Sequence, residues 1–288
     1  MRVAAVQMRS AASRQENVKQ AMVHMDKAAA AGAELVVLPE YMTFLGPYRD
    51  FRENSESIPG PTSESLAAKA QQHGIYIHSG SLIEQSSQSD RLYNTSILFG
   101  PDGEQIAAYR KIHRFEVNVP GVVRDNESRT ISPGEEVVVV ALPEITLGLS
   151  ICFDLRFPEM YRQMAAAGAE VFLVPAAFAR ATGRVHWEIL LRARAIENLA
   201  YVVAVAQHGQ DLTGAWRYGR SMVVAPWGEV LAAAPEMGDE ILLVDIDRRK
   251  VARRRKQMPV LALRQPSVYQ RLKIYDVSHR IPMSEEEK

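Results

Sequence analysis

Short apolar runs separated by turn residues recur along this chain of 288 residues and indicate buried strands. Residues 3–8 ("VAAVQM") and 34–38 ("ELVVL") are runs of this kind, and Pro39 ends the second. Apolar runs without a polar alternation are typical of strands that are buried on both faces. The pattern predicts further strands or hairpins over 75–83, 92–111, 137–152, 169–178, 201–207 and 220–246.

Segments with apolar residues at helical spacing lie between these strands. Residues 14–31 place apolar side chains on one face, and Gly32 follows as a stop signal. Residues 113–136 are rich in proline, glycine and charge, and they are predicted to be a long loop of the sort that often has a function. Helices are predicted over 14–31, 63–73, 158–167 and 185–200.

One internal repetition bears on the architecture. The segment "AAGAELVVLPEYM" (30–42) resembles "AAGAEVFLVPAAF" (166–178), and Glu40 aligns with Ala176. Two strand–helix–strand halves that alternate with hairpins predict mixed sheets covered by helices on their outer faces. Stacking the halves gives a four-layer α-β-β-α sandwich. We therefore predict an α/β fold with one pseudo-symmetric domain over 1–270 and a C-terminal tail over 271–288.

Composition narrows the class of protein. Lys plus Arg and Asp plus Glu both number 34, so the chain lacks the basic excess of a general nucleic-acid or membrane-surface binder. The basic run 248–256 is interpreted as a solvated helix face or a subunit contact. A single cysteine cannot form an internal disulfide, and no signal peptide or membrane-length apolar run is visible. We therefore expect a cytoplasmic protein without nucleic-acid or membrane partners.

Three polar residues follow predicted strands, where α/β sheets place their ligands. They are Glu40 after "LVVLP", Lys111 after "IAAYR" and Cys152 after "LGLSI". Each has an ordinary explanation when it is considered alone. A lone cysteine in an apolar strand is commonly inert core, and the glutamate and the lysine could be solvated strand ends.

Together the three residues form a complete set for acyl transfer. A thiol with an ordinary pKa of about 8.5 must lose its proton before it attacks, and a nearby carboxylate can remove that proton. An ammonium group and a backbone N–H next to the nucleophile can stabilise the oxyanion that forms. The thioester product can then be hydrolysed by water that the same carboxylate activates.

The motifs "LPEY", "YRKIH" and "ICFDLRFPE", in this order, resemble the three signature motifs of the nitrilase superfamily of carbon–nitrogen hydrolases. The resemblance extends to residues 182–209 and 221–231 and covers the chain to about Tyr269. It implies the α-β-β-α sandwich and pairing of subunits through helices near the nucleophile, as a homodimer or a higher homo-oligomer.

The resemblance also implies roles for four residues. Glu40 would be the base, Lys111 the oxyanion stabiliser and Cys152 the nucleophile. A further family glutamate corresponds to Glu127 in "DNESRTISPG", where it would hold the lysine and position the substrate. The alternative is that Glu127 is a solvated loop carboxylate. No cofactor and no metal are expected, since the seven histidines show no metal-ligand spacing.

Within the superfamily, "CFDLRFPE" resembles the amidase branch that contains ω-amidase and deaminated glutathione amidase. "LLRARAIE" and "AQHG" favour the second of these. The predicted function is therefore hydrolysis of a primary amide of a small carboxylate-bearing substrate, which releases ammonia. Deaminated glutathione is the favoured substrate. The alternatives are an ω-amidase for 2-oxo acid amides, an N-carbamoyl hydrolase, a nitrilase, an acyltransferase and a non-catalytic binding member.

Substrate binding is assigned to residues near the nucleophile. In the resembling amidases, the residues that match Arg156 and Thr182 are implicated in holding a substrate carboxylate, and a guanidinium suits that bidentate contact. The alternative is that Arg156 pairs with Asp154 or Glu159 and holds the loop. The predicted substrate-binding residues are Arg156, Thr182, Phe153, Ala177 and Phe178. Two departures from the branch pattern, Arg184 and Arg220, are also candidates for the pocket wall.

Overall fold

The computed structural model describes residues 1–275, which contain 17 strands and six α-helices. The strands are β1 (Arg2–Gln7), β2 (Leu35–Val37), β3 (Tyr76–His78), β4 (Leu82–Gln85), β5 (Leu92–Phe99), β6 (Gln105–Arg110), β7 (Glu116–Val119), β8 (Val123–Asn126), β9 (Val139–Ala141), β10 (Thr146–Leu149), β11 (Val171–Ala176), β12 (Tyr201–Ala206), β13 (His208–Gln210), β14 (Trp216–Tyr218), β15 (Met222–Val224), β16 (Val230–Ala233) and β17 (Glu240–Asp245). The helices are α1 (Arg14–Ala30), α2 (Pro61–His73), α3 (Pro158–Ala166), α4 (Arg180–Asn198), α5 (Arg248–Gln257) and α6 (Pro266–Tyr269). Short 3₁₀ helices span Tyr48–Asp50, Glu127–Arg129 and Cys152–Arg156.

Two mixed sheets form the centre of the molecule. In the first sheet the order is β17-β1-β2-β3-β5-β4, with β6 on the other side of β5, and β1, β2 and β3 are parallel. In the second the order is β16-β15-β12-β11-β10-β9, with β10, β11 and β12 parallel. The repetition found in the sequence is structural, because α1–β2 and α3–β11 occupy equivalent places in the two halves.

The core lies in layers on either side of the first sheet. Val3 and Ala5 of β1 belong to the apolar cluster between the sheets, whereas Ala4 and Val6 belong to the cluster beneath α1 and α2. This alternation follows from the two-residue period of a strand, and it explains why the run is apolar throughout. Helices α3 and α4 cover the second sheet with residues that include Trp187. The predicted four-layer α-β-β-α sandwich with one domain is confirmed.

The helix boundaries follow from local chemistry. Helix α1 begins after Ser13, whose hydroxyl accepts from the backbone N–H of Glu16 while the Glu16 carboxylate accepts from the backbone N–H of Ser13. Helix α4 begins at Arg180, five residues before the predicted start at 185. The sequence prediction began later because Gly183 lowers the helix propensity of this first turn. The structure requires glycine at this position, since a side chain there would overlap the ring of Tyr218.

Three predictions of elements were wrong in part. The predicted loop 113–136 contains the antiparallel pair β7–β8, and the predicted strand 75–83 is divided into β3 and β4 around Gly80. The predicted hairpin 220–246 is confined to β15 and β16, because β17 leaves it and pairs with β1 in the first sheet. The domain boundary at 270 stays a prediction, and residues 276–288 of the predicted tail lie outside the described residues.

Candidate active site

The structure brings together the four residues that were predicted to be catalytic. Glu40 follows β2, Lys111 follows β6, Cys152 follows β10, and Glu127 begins the 3₁₀ helix over 127–129. The Lys111 Nζ atom lies 2.8 Å from Glu40 Oε1 and 2.8 Å from Glu127 Oε2. All three charged side chains are buried. Glu127 is therefore not the solvated loop carboxylate that the sequence left open as an alternative.

Glu40 is held rigidly by donors from both sheets. The Asn94 side chain donates to Glu40 Oε1 over 2.9 Å, and the backbone N–H of Ala177 donates to Glu40 Oε2 over 2.7 Å. The chain around Gly80 approaches the backbone just before Glu40 so closely that a side chain at Gly80 would overlap the Pro39 carbonyl. The break between β3 and β4 at Gly80 thus allows the close backbone contact that positions the Glu40 carboxylate.

Glu127 receives more hydrogen bonds than a simple ion pair requires. Besides Lys111, the Tyr41 hydroxyl, the Asn94 amide and the backbone N–H of Phe115 donate to its carboxylate. Burial alone favours the neutral acid, but Lys111 and these donors outweigh it and lower the pKa of Glu127. The carboxylate therefore stays ionised at neutral pH.

Lys111 remains charged for the complementary reason. Burial disfavours its ammonium, but the carboxylates of Glu127 and Glu40 outweigh that effect and raise the pKa of Lys111 well above its ordinary value. An ammonium has three donors, and two of them point at carboxylates here. The third donor is available for a substrate oxygen.

Cys152 begins a tight turn with a backbone φ of 48°, in the left-handed region that non-glycine residues rarely adopt. Its thiol and the Glu40 carboxylate line the same cavity. Burial and the negative charge of Glu40 raise the pKa of the Cys152 thiol well above its ordinary value, although Lys111 opposes them. The thiol therefore rests in its protonated form next to a carboxylate that can accept the proton.

Asp154 fixes the turn that presents the cysteine. Its carboxylate accepts from the backbone N–H of Ile151 over 2.8 Å and from the Tyr109 hydroxyl over 2.7 Å. It also accepts from the backbone N–H of His113 over 3.0 Å. Asp154 is fully buried and is occupied by these contacts, so the predicted alternative of an Arg156–Asp154 pair is wrong.

A cavity of about 290 Å³ opens above the four residues. One wall is formed by residues that follow the nucleophile and by the start of α4, and the other by aromatic and charged residues from the 41–51 and 115–125 segments. The predicted substrate-binding residues on the first wall are Phe153, Ala177, Phe178 and Thr182. Residues on the second wall include Tyr48, Phe51, Phe115, Arg124 and Asp125.

Arg156 lies just behind the first wall and is not itself one of the lining residues. Its guanidinium carbon is 5.7 Å from the ring centre of Phe153 and 5.2 Å from that of Phe178, and its Nη1 is 3.3 Å from His186 Nδ1. Arg184 is paired with Glu236, and Arg220 donates to the carbonyl of Ala234. Neither of these two departures from the branch pattern therefore lines the cavity.

Sequence reasoning missed several residues of the site. Tyr41 and Asn94 complete the network around Glu127, and Arg217 lines the cavity beside the Ala177 carbonyl, to which its Nη1 donates over 3.0 Å. Tyr41 and Asn94 had a usable signal, because Tyr41 directly follows Glu40 and Asn94 lies on β5, the hairpin partner of the strand that ends before Lys111. Arg217 lies in "GAWRYG", far from any motif, and had none.

The described part of the chain, residues 1–275, contains no group of three or more His, Cys, Asp or Glu side chains arranged to hold a metal ion. In that same range no helix is long and apolar enough to cross a membrane.

Comparisons with known proteins agree with this geometry. The carbon-nitrogen hydrolase family model matches residues 2–256. The chain is 39% identical over 270 residues to omega-amidase NIT2 of Homo sapiens, covering 93% of this chain and 96% of that protein.

Solved structures give the same picture. Saccharomyces cerevisiae Nit3, a member of branch 10 of the nitrilase superfamily, superposes with a TM-score of 0.83 at 32% identity, covering 92% of this chain and 96% of that one. A mutant amidase from Nesterenkonia sp. AN1, with the acetamide moiety of fluoroacetamide added covalently at its active-site cysteine, superposes with a TM-score of 0.79 at 26% identity. That match covers 94% of this chain and 95% of the amidase.

Proposed function

Because the chain belongs to the carbon–nitrogen hydrolase family and is an amidase of the nitrilase superfamily, we propose that it hydrolyses the ω-amide of a small 2-oxo acid. The products are ammonia and the free dicarboxylic acid. The observation that supports this most directly is that the Cys152 thiol, the Glu40 carboxylate and the Lys111 ammonium meet at the base of one small cavity.

In the first half of the reaction, the Cys152 sulfur attacks the amide carbon and its proton passes to Glu40. Because the thiol rests protonated, attack needs a base in contact with it, and Glu40 is that base. The carbonyl oxygen becomes an oxyanion, which the free donor of Lys111 stabilises. Glu40 then returns the proton to the nitrogen, the carbon–nitrogen bond breaks, and ammonia leaves a thioester on Cys152.

In the second half, a water molecule takes the place of the departed ammonia. Glu40 accepts a proton from this water while the water oxygen attacks the thioester carbon, and Lys111 again stabilises the oxyanion. The carbon–sulfur bond breaks, the proton returns to the sulfur, and the acid is released. Glu127 takes no proton in either half, and its part is to keep Lys111 charged and in place.

The relatives favour the ω-amidase alternative over deaminated glutathione, which was the favoured substrate in the sequence analysis. Both compounds contain the same 2-oxo acid acyl group, but the leaving group is ammonia for the first and a dipeptide amine for the second, so only the first fits the predicted release of ammonia from a primary amide. The cavity volume of about 290 Å³ is at the low end for small-molecule sites and suits the smaller leaving group.

Recognition of the substrate carboxylate provides the test of this proposal. We propose that Arg156, with Thr182, binds that carboxylate after a modest movement from behind Phe153 and Phe178. Ammonia release from 2-oxoglutaramate should be much faster than from a neutral amide of equal length. Arg156→Met should lower kcat/KM for 2-oxoglutaramate by about 2–4 kcal/mol and change the value for the neutral amide little.

The matched variant Arg184→Met removes a cation from the same helix-start region without touching the cavity, and it should retain the preference for the carboxylate. If Arg156→Met slowed both amides equally, the residue would only support the loop, and the substrate class would be in error. Deaminated glutathione serves as a third substrate, and faster hydrolysis of it than of 2-oxoglutaramate would restore the original assignment.

We further propose that the protein is a homodimer that pairs through the outer face of α4. Val185, Ile189 and Ile196 lie on that helix and are 60%, 69% and 43% exposed, which is unusual for apolar side chains of a monomer. Light scattering should give about twice the chain mass of 32.1 kDa, and Ile189→Asp should shift the mass towards one chain. A wild-type protein with the mass of one chain at micromolar concentration would contradict this pairing.

A further inference from the structure

Three cationic side chains line the cavity, namely those of Lys111, Arg124 and Arg217. Lys111 is engaged by Glu40 and Glu127. Arg217 is engaged by Asp211, whose Oδ2 is 2.9 Å from its Nε, and it also donates to the Ala177 carbonyl. The Arg124 side chain makes no hydrogen bond or ion pair with any other residue in the range 1–275.

Two carboxylates line the same outer groove as Arg124, and both have other partners. Asp125 interacts electrostatically with the Tyr48 hydroxyl and with the Arg217 guanidinium, and it forms no ion pair with Arg124. Glu116, on the neighbouring strand β7, accepts from the side chains of Asn126 and Ser128. Arg124 is therefore a cation whose guanidinium is free to bind an anion from solution.

Arg124 is also well placed to meet a ligand. It lies on β8, opposite Asn118 of β7, and it is exposed. Its side chain borders both the catalytic cavity and a groove on the outer side of the same hairpin. Its exposure places it at the mouth of the cavity, on the second wall.

We propose that Arg124 is a specificity-determining residue that binds a carboxylate of the substrate at the mouth of the cavity. The inference rests on the proposed amidase function and adds to it a second anion-binding group, separate from Arg156. 2-Oxoglutaramate has one carboxylate, so on that substrate Arg124 and Arg156 contact the same group, whereas on an amide whose leaving amine carries a carboxylate Arg124 contacts that second group. A guanidinium offers the same bidentate contact to either.

The expected effect is moderate, because an exposed arginine interacts with an anion in competition with water and salt. Arg124→Met should weaken the binding of a carboxylate-bearing amide by about tenfold, and the loss should appear in KM rather than in kcat. Arg124→Lys, which keeps the charge without the fork, should recover part of the difference. The difference should shrink as the salt concentration rises.

The test uses three amides without an oxo group. Pentanamide is neutral, glutaramate has a carboxylate on the acyl half, and N-pentanoylglycine has a carboxylate on the leaving amine. Initial rates with wild type and Arg124→Met give kcat and KM for each. Titration of the same ligands into Cys152→Ala protein, with and without Arg124→Met, gives their affinities without any turnover. Failure of the proposed reaction can thus be told apart from failure of this inference.

The control is Arg129→Met. Arg129 lies on the adjoining 3₁₀ helix and borders the outer groove, but unlike Arg124 it does not line the catalytic cavity. The inference is supported if Arg124→Met binds glutaramate or N-pentanoylglycine more weakly, while its affinity for pentanamide is unchanged and Arg129→Met has no effect. The ligand whose binding is weakened identifies the half of the substrate that carries the carboxylate. Equal losses on all three ligands, no loss on any, or the same selectivity in Arg129→Met would overturn the inference.

Discussion

Replacing Cys152 with alanine is expected to abolish turnover and to leave the fold intact. No other thiol exists in the chain, and the neighbouring Glu40 and Lys111 are already engaged as base and oxyanion donor. The loss of one small buried side chain costs on the order of 1 kcal/mol, and alanine is no more strained than cysteine at a φ of 48°. Ammonia release measures the activity, and thermal unfolding measures the stability.

The intermediate itself can be observed in the wild-type protein. With a slowly hydrolysed amide, intact-mass spectrometry should show one acyl group added, and peptide mapping should place it on Cys152. The same treatment of Cys152→Ala should show no adduct. Measurable turnover in Cys152→Ala, after contamination by the wild-type protein is excluded, would rule out the thioester mechanism.

Lys111→Met is expected to lower kcat by at least about 100-fold, the scale for loss of one preorganised oxyanion donor. It should also destabilise the protein by about 3–5 kcal/mol, because two buried carboxylates then face each other without the ammonium between them. Removing that ammonium raises the pKa of Glu127. The carboxylate is then easier to protonate, so the stability deficit should become smaller as the pH falls. Urea unfolding at several pH values measures this.

A double variant separates the two roles of the lysine. Glu127→Gln removes one of the facing charges, so Lys111→Met with Glu127→Gln should recover much of the lost stability without recovering activity. If the double variant regained activity together with stability, the lysine would act only as a structural counter-ion. Equal stability of Lys111→Met and wild type would show that the three charges are not coupled as their distances imply.

The parts of the fold that follow local rules were predictable from the sequence. Strands such as β1 and β11 are buried on both faces, so their residues form unbroken apolar runs. The pair β7–β8 was missed because the alternation in β7 ("EVNV") is only four residues long, β8 ("VRDN") has no apolar pattern, and neither strand contains a fully buried residue. The departure of β17 was missed because its partner lies more than 230 positions earlier, and no local pattern encodes such a pairing.

The same distinction applies to the site. Glu40, Lys111 and Cys152 could be found because each directly follows an apolar strand and belongs to a recognisable motif. Arg124 and Arg217 could not, since their place on the cavity wall depends on how separate hairpins fold over the sheet edges. The Arg124 guanidinium is unpaired because the carboxylates around it have other partners, and only the three-dimensional structure shows this.

The pairing of β17 with β1 has a consequence for how the chain is assembled. Residues 2–7 form a strand early in the chain, yet one edge of that strand stays open until residues 240–245 are in place. On a ribosome, the first sheet therefore carries the unpaired edge of a largely apolar strand while the second sheet is still being synthesised, and such edges invite pairing with other chains. Loss of the chain from Glu240 onwards would leave that edge open permanently, even though every residue that lines the catalytic cavity would remain.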